Sequence, residues 1–260
     1  MAENRHVTLK LEGVSKSFAK VEADEVTHAL DNVSVTMESG EFISLVGPSG
    51  CGKSTILRLV TALIPPTAGK VTVNGEEVTE PSPNRGMVFQ KPTLFPWLTV
   101  EKNIGFSLQV QGKLKENQHK VDRMLKVIGL ESFRNDYPAQ LSGGMAQRVA
   151  LVRSLINEPP ILLLDEPLGA LDAFTRMNMQ DEILKIWQEK KQLAIMVTHD
   201  VDEAIYMGTR VLVMDAHPGR VIADIPIDLP FPRDRGSREF VEYRIDILNK
   251  LHFAGKGAKE

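Results

Sequence analysis

Val7, Leu9 and Leu11 alternate with polar residues near the start of the chain, and Val33, Val35 and Met37 repeat the pattern. A period of two puts the apolar side chains on one face of a strand, so these segments predict a half-exposed antiparallel sheet. Asn74-Gly75 reads as a tight hairpin turn. Phe42-Ile43-Ser44-Leu45-Val46, Ile161 to Leu164 and Leu193 to Val197 are different: each is a short, nearly continuous apolar run. Such runs predict strands buried on both faces of a parallel sheet. Polar chemistry follows each run at its C-terminal end, which is where ligands sit in open α/β sheets.

Between Gln90 and Gln140 the β-branched runs give way to helical spacing, as at Val121, Leu125 and Ile128. The chain therefore divides into an α/β core with an antiparallel β layer (1–90 and 150–228), an inserted helical subdomain (91–149), and a linker with a last helix (229–260). Leu229 to Gly236, with two prolines and a glycine, is the linker. Ser237 is placed to cap a helix carrying Phe240, Tyr243, Ile247, Leu248 and Leu251, a stripe expected to dock on the body.

Composition narrows the function. With 42% hydrophobic residues among 260, the chain has material for a sizeable core. A net charge of −3 and a pI near 6.1 offer no broad basic surface, which argues against nucleic acid as a partner. Cys51 is the single cysteine, so there is no intrachain disulfide framework, and Met1 to Arg5 lack the apolar core of a signal peptide. A cytosolic location is expected. The apolar runs are far shorter than the ~20 residues that cross a bilayer, so any membrane association must come through a partner.

Gly47-Pro48-Ser49-Gly50-Cys51-Gly52-Lys53-Ser54 matches G-x-x-x-x-G-K-[ST], follows the buried run Phe42 to Val46 and precedes a helical pattern with Ile56, Leu57, Val60 and Leu63. Thr55, directly after the motif, is counted with the loop as a nucleotide-binding candidate. Glycines let backbone N–H groups converge on a polyphosphate, and the helix N-terminus adds positive potential. Lys53 would reach the β- and γ-phosphates of a nucleotide, and Ser54 would offer its hydroxyl to Mg²⁺. Cys51 has no base or resolving cysteine in the sequence and is read as a bystander.

Asp165 and Glu166 end another buried run, so their side chains leave the strand in different directions. Asp165 is the candidate to hold Mg²⁺, and Glu166 to polarise a water attacking the γ-phosphate. His199, after the Leu193 to Val197 run, would emerge on the same sheet edge. Gln90 carries an amide able to ligand Mg²⁺ and sense the γ-phosphate. Ser142, Gly143, Gly144 and Met145 open a further helical pattern, a second anion-binding helix start. One nucleotide does not need two such cradles in one protomer, so the second points to a nucleotide held by another chain.

In the order and spacing of these motifs the sequence resembles the ABC ATPase family over nearly its whole length. The resemblance implies a P-loop NTPase core with a mainly parallel sheet, an antiparallel β layer and a helical subdomain. It also implies ATP and Mg²⁺ as ligands, and two subunits sandwiching two ATP molecules. By the same resemblance Phe18 matches the aromatic position on which adenine stacks, Leu141 to Met145 the signature, and Leu171-Asp172 the loop beside it. Met145 stands where a glutamine is common, and Gly169-Ala170-Leu171-Asp172 lacks a serine often found there; neither change touches the cradle backbone. Leu94-Phe95-Pro96-Trp97, Tyr137 to Gln140, Asp172 to Arg176 and His217 to Ile222 resemble the ATPase subunits of nitrate, sulfonate and taurine importers. That implies a separate membrane permease, an extracytoplasmic solute-binding protein, and a position on the cytoplasmic face of the membrane. Two alternatives stay open: a soluble ABC ATPase, which would need a long coiled coil or two cassettes, and a P-loop small-molecule kinase, which would need an acceptor lid.

Overall fold

The computed structural model describes residues 6–19, 26–216 and 218–254, with side chains as far as Leu251 in the last helix. The expectations placed on Met1 to Arg5 and on His217 lie outside the described residues.

Strands β1 (Thr8–Ala19) and β2 (Val26–Glu38) pair antiparallel, with Leu9 opposite Met37 and Leu11 opposite Val35. Leu9 and Leu11 are buried while Lys10 and Glu12 face solvent, as the alternation requires. The parallel sheet contains β3 (Phe42–Val46), β6 (Arg85–Val88), β7 (Ile161–Asp165), β8 (Leu193–Val197) and β9 (Arg210–Asp215), with β10 (Arg220–Pro226) antiparallel at one edge. Its order is β10-β9-β3-β8-β7-β6. The smaller sheet runs β2-β1-β4-β5, where β4 is Ala68–Val73 and β5 is Glu76–Glu77. Asn74 and Gly75 make the turn between β4 and β5 with φ of 53° and 85°, the left-handed pair of a type I′ hairpin.

Every residue of β3, β7 and β8 is buried, because each strand serves two cores. Ile43, Leu45, Leu163 and Ile195 face helix α1 (Lys53–Val60) and the antiparallel sheet. Phe42, Val46, Leu162, Leu164 and Met196 face the other way, toward the remaining helices. Burying one such side chain contributes ~1.5–3 kcal/mol, so the two-sided strands are the most stabilising segments of the sheet per residue.

The stretch after β6 folds into α2 (Val100–Val110), α3 (Gln118–Val127) and α4 (Gly143–Leu155), joined by 3₁₀ turns. Val121, Leu125 and Ile128 are buried together with Ile104 and Leu108. Asn103, fully buried, accepts from the Phe95 amide at 2.8 Å and donates to the carbonyls of Phe95, Leu98 and Thr99, so it pins the segment that follows Gln90.

Beyond these lie α5 (Ala173–Lys190), α6 (Val201–Met207) and α7 (Arg238–Ala254). Ser237 Oγ accepts from the Phe240 amide at 3.3 Å, capping α7. Phe240 and Ile247 are fully buried and Tyr243 and Leu251 pack partly, whereas Leu248 is exposed. The expected stripe is thus one residue too wide: 240, 243, 247 and 251 advance by three or four, and 248 lies about 100° further round the helix. The 229–236 segment is also less free than its prolines suggest. The Phe231 ring centroid lies 5.9 Å from that of Trp187, and Arg233 is buried. Its guanidinium donates to the carbonyls of Leu229 (3.1 Å), Ile227 (3.2 Å), Ile205 and Gly208 (2.5 Å), and burial pulls its pKa down to about 10. No helix among the described residues is long and apolar enough to cross a membrane.

Candidate active site

The Gly47–Ser54 loop joins β3 to α1 and needs glycine for two separate reasons. Gly50 and Gly52 have φ of 81° and 88°, and a Cβ on Gly52 would fall 2.5 Å from Leu30 Cδ2 and 2.8 Å from the Ala29 carbonyl oxygen. Lys53 lies across the loop, its ammonium donating to the carbonyls of Gly47 (2.7 Å) and Pro48 (2.9 Å). Cys51 is fully buried with Sγ 3.7 Å from Lys53 Nζ, and burial pushes its thiol pKa up. It packs the loop from beneath and is no exposed thiolate.

Asp165 and Glu166 diverge at the end of β7. Asp165 is buried and accepts from Ser54 Oγ at 2.8 Å; burial raises its pKa against the pull of that hydroxyl. Glu166 turns away with φ of 44°, a left-handed conformation unusual for this residue type, and its amide donates to the Val197 carbonyl at 3.0 Å. Its Oε2 accepts from Gln90 Nε2 at 3.1 Å and stands 3.4 Å from His199 Nδ1. Three side chains from the ends of β6, β7 and β8 therefore meet at one point.

Ser49, Gly50, Cys51, Gly52, Lys53, Ser54 and Thr55 line one cleft of about 380 Å³ together with Gln90, Glu166 and His199. Phe18 is half-exposed on β1 opposite Thr27, with the Lys16 ammonium 5.2 Å from its ring centroid; it does not line the cleft wall. The oxygen donors Ser54, Asp165 and Gln90 suit a hard divalent cation such as Mg²⁺. Among the described residues no group of three His, Cys, Asp or Glu could hold a metal, so such a cation would complete its shell with phosphate and water oxygens.

Ser142 caps α4 by accepting from the Met145 amide at 3.2 Å, and it and Gly143 are exposed. A Cβ on Gly144 would lie 3.3 Å from Leu171 Cδ2, so this helix start sits against the loop that ends in Asp172. Asp172 caps α5, accepting from the Thr175 amide (3.0 Å) and hydroxyl (2.6 Å), which hold its carboxyl below the usual range. Neither Ser142 to Met145 nor Asp172 lines the Lys53 cleft. One chain thus presents two separate polar surfaces.

Several contributors carry no sequence motif. Gln147, buried on α4, donates to the Phe89 carbonyl at 3.3 Å and so ties the helix that starts at Ser142 to the residue before Gln90. Ala29 forms part of the cleft wall. Glu203, buried on α6, accepts from Gln180 Nε2 at 3.1 Å and reaches a second cavity, of about 20 Å³, that it shares with Glu166 and His199. A third cavity of about 280 Å³ opens between β6 and the helical segment, lined by Arg85, Met87, Phe95, Phe106, Arg153 and Asn157. The Phe95 ring stacks 4.4 Å from Phe106 and 5.7 Å from Trp97, and Trp97 is 70% exposed. Leu94 packs into the core instead.

A glycine loop between a buried strand and a helix, with its serine bonded to the carboxylate of a nearby strand, defines a P-loop nucleoside triphosphatase. The ABC transporter family model matches residues 30–169, and the chain belongs to that family. It is 50% identical over 246 residues to an uncharacterised ABC transporter ATP-binding protein of Methanocaldococcus jannaschii, covering 94% of this chain and 91% of the relative. It is 44% identical over 237 residues to the aliphatic sulfonates import ATP-binding protein of Bacillus subtilis, covering 91% and 92%. Among solved structures, a dimeric ATP-binding cassette in a post-hydrolysis state bound to ADP and Pi superposes with a TM-score of 0.76 at 34% identity, covering 85% of this chain and all of that one. The protein is an ATPase of the ABC fold, as the motifs predicted, and the kinase alternative falls away.

Proposed function

We propose that this chain is the ATP-hydrolysing subunit of an importer for a small sulfonate-type or related anion. The solute class is supported by the relative from Bacillus subtilis, whose name states aliphatic sulfonates import. The observation that carries the hydrolytic roles is the divergence of two adjacent carboxylates, Asp165 toward Ser54 and Glu166 toward Gln90 and His199. The loop amides and Lys53 bind the phosphates. Bound Mg²⁺, held by Ser54, Asp165 and Gln90, would supply charge neutralisation at the β- and γ-phosphates. Glu166 orients the attacking water and accepts its proton, His199 holds the γ-phosphate side of that water, and Gln90 reports the γ-phosphate to the helical subdomain. Phe18 stacks on the adenine.

The exposed Ser142 to Met145 cradle and Asp172 serve the nucleotide of a second copy, so the working unit is a homodimer. The cavity lined by Phe95, with the exposed Trp97 ring beside Phe95, receives a cytoplasmic segment of the permease, which keeps the subunit at the cytoplasmic face of the membrane; a solute-binding protein delivers cargo outside. Glu166→Gln tests the centre of this reading. The variant keeps the side-chain shape and the Gln90 contact, so it should bind ATP normally and lose turnover by ~10²-fold or more, as when a general base is removed. Hydrolysis within threefold of wild type would remove Glu166 from the role.

A further inference from the structure

His199 is placed by surprisingly little of its own. Its side chain is 70% exposed and has one described polar neighbour, Glu166 at 3.4 Å. Packing around the ring therefore does not fix it; the backbone must. Thr198 is buried directly after β8, and α6, a helix of seven residues capped by Asp200, begins two residues after His199. A helix that short has no stability in isolation, so its position is set by whatever grips it.

Ala204, Ile205 and Met207 bury the apolar face of α6 in the core, and further polar ties come from the C-terminal segment. At the N-terminal turn, Arg244 of α7 makes a bidentate pair with Asp202, through Nε to Oδ1 and Nη2 to Oδ2 (2.8 Å). At the other end the Arg233 guanidinium takes the carbonyls of Ile205 and Gly208, which no further helical turn satisfies. Along the side, Arg235 lies 3.6 Å over the Tyr206 ring and donates to Gln180 Oε1 (2.5 Å), and Gln180 donates in turn to Glu203 (3.1 Å). Three arginines of one segment thus hold the two ends and one side of α6. Glu203, Thr198 and Asp200 form a wall of the small cavity beside Glu166 and His199.

We propose that the 233–244 segment is a clamp that positions His199 for hydrolysis through α6, with Arg244 and Asp202 as positioning residues that touch no substrate. The inference rests on the role proposed above for His199. It makes the last helix part of the reaction geometry and not only a docked appendage.

The test uses the full-length protein, with steady-state hydrolysis, ATP-binding stoichiometry and an epistasis measurement. Arg244→Gln, and independently Asp202→Asn, should lower kcat by about fivefold or more, the scale on which a small displacement of a positioned group acts. The KM for ATP should stay within about twofold, and binding at one ATP per chain, because the Lys53 loop is untouched. Arg244→Lys, which keeps the charge, should recover part of the loss. Added to His199→Ala, Arg244→Gln should cost nothing more in a single-turnover assay, since the residue it acts through is already gone. A merely structural role would instead lower the bound stoichiometry along with the rate and would add to the His199→Ala defect. Wild-type kcat in both single variants, or additive losses, would overturn the clamp while leaving His199 in place. Normal turnover by His199→Ala would overturn the role of His199 and the clamp with it.

Discussion

Arg233→Met is the most direct probe of how the C-terminal segment is attached. Methionine keeps much of the aliphatic stem that packs beside Phe231, so the change removes mainly the guanidinium, which stands 4.2 Å from that ring. In the native protein the group donates to the carbonyls of Leu229, Ile227, Ile205 and Gly208, and its described contacts include no carboxylate. Removing it leaves buried acceptors without donors, at ~1–3 kcal/mol each. Against this stands relief from holding a desolvated cation, whose pKa is already pulled down to about 10 by burial. The losses outnumber the gain, and the net cost should be ~2–4 kcal/mol. In a domain of this size each kcal/mol moves the midpoint by ~2–4 °C, so thermal unfolding should fall by about 5–15 °C. Urea titration with an unchanged m-value is the second readout. A loss below ~1 kcal/mol, or any gain, would show that the buried cation is a burden and that α6 is held by its apolar face alone.

Lys53→Ala should weaken ATP binding by ~10-fold or more, the worth of charge-assisted bonds to phosphate, while leaving the fold intact; calorimetry showing equal affinity would refute the cradle assignment. Mixing inactive Ser142→Arg with inactive Lys53→Ala should restore some hydrolysis, because one composite site of the mixed dimer then has intact parts; no recovery in verified mixed dimers would argue for a site built within one chain. Trp97→Ala should change stability by no more than ~0.5 kcal/mol, given 70% exposure, yet cut co-purification with the permease by ~10-fold or more. Lower melting with normal assembly would make Trp97 a packing residue.

Legibility in the sequence followed burial geometry. Phe42 to Val46 could be read as a two-faced strand because both of its faces are apolar, and the structure divides those faces between two cores. Asp165 and Glu166 do part, to Ser54 and to Gln90, but by the left-handed turn at Glu166 beyond the end of β7 and not by the strand alternation the sequence suggests. Arg233 could not be read. A charged residue just after two prolines carries the signature of a solvated linker, and two of the carbonyls that take its donors, those of Ile205 and Gly208 at the end of α6, lie 28 and 25 residues back in the chain. Gln147 and Asn103 escaped for the same reason: each is a lone polar residue in a helix whose partners are backbone atoms, which leave no imprint on sequence. Leu248 falls within the predicted stripe yet is exposed, because composition alone cannot show where an apolar face ends.

The strand order carries a consequence for how the protein is made. β3, which leads into the phosphate loop, pairs on one side with β8, where Ile43 meets Ile195, and on the other with β9, where Ile43 meets Arg210. Both neighbours are synthesised long after β3 has left the ribosome. Until they arrive, an apolar strand with two open edges has no partner, a condition that favours aggregation and slows closure of the sheet. The nucleotide cleft is therefore among the last features a nascent chain can acquire. Truncated translation products ending before β8 should bind no ATP and should depend on chaperones to stay dispersed.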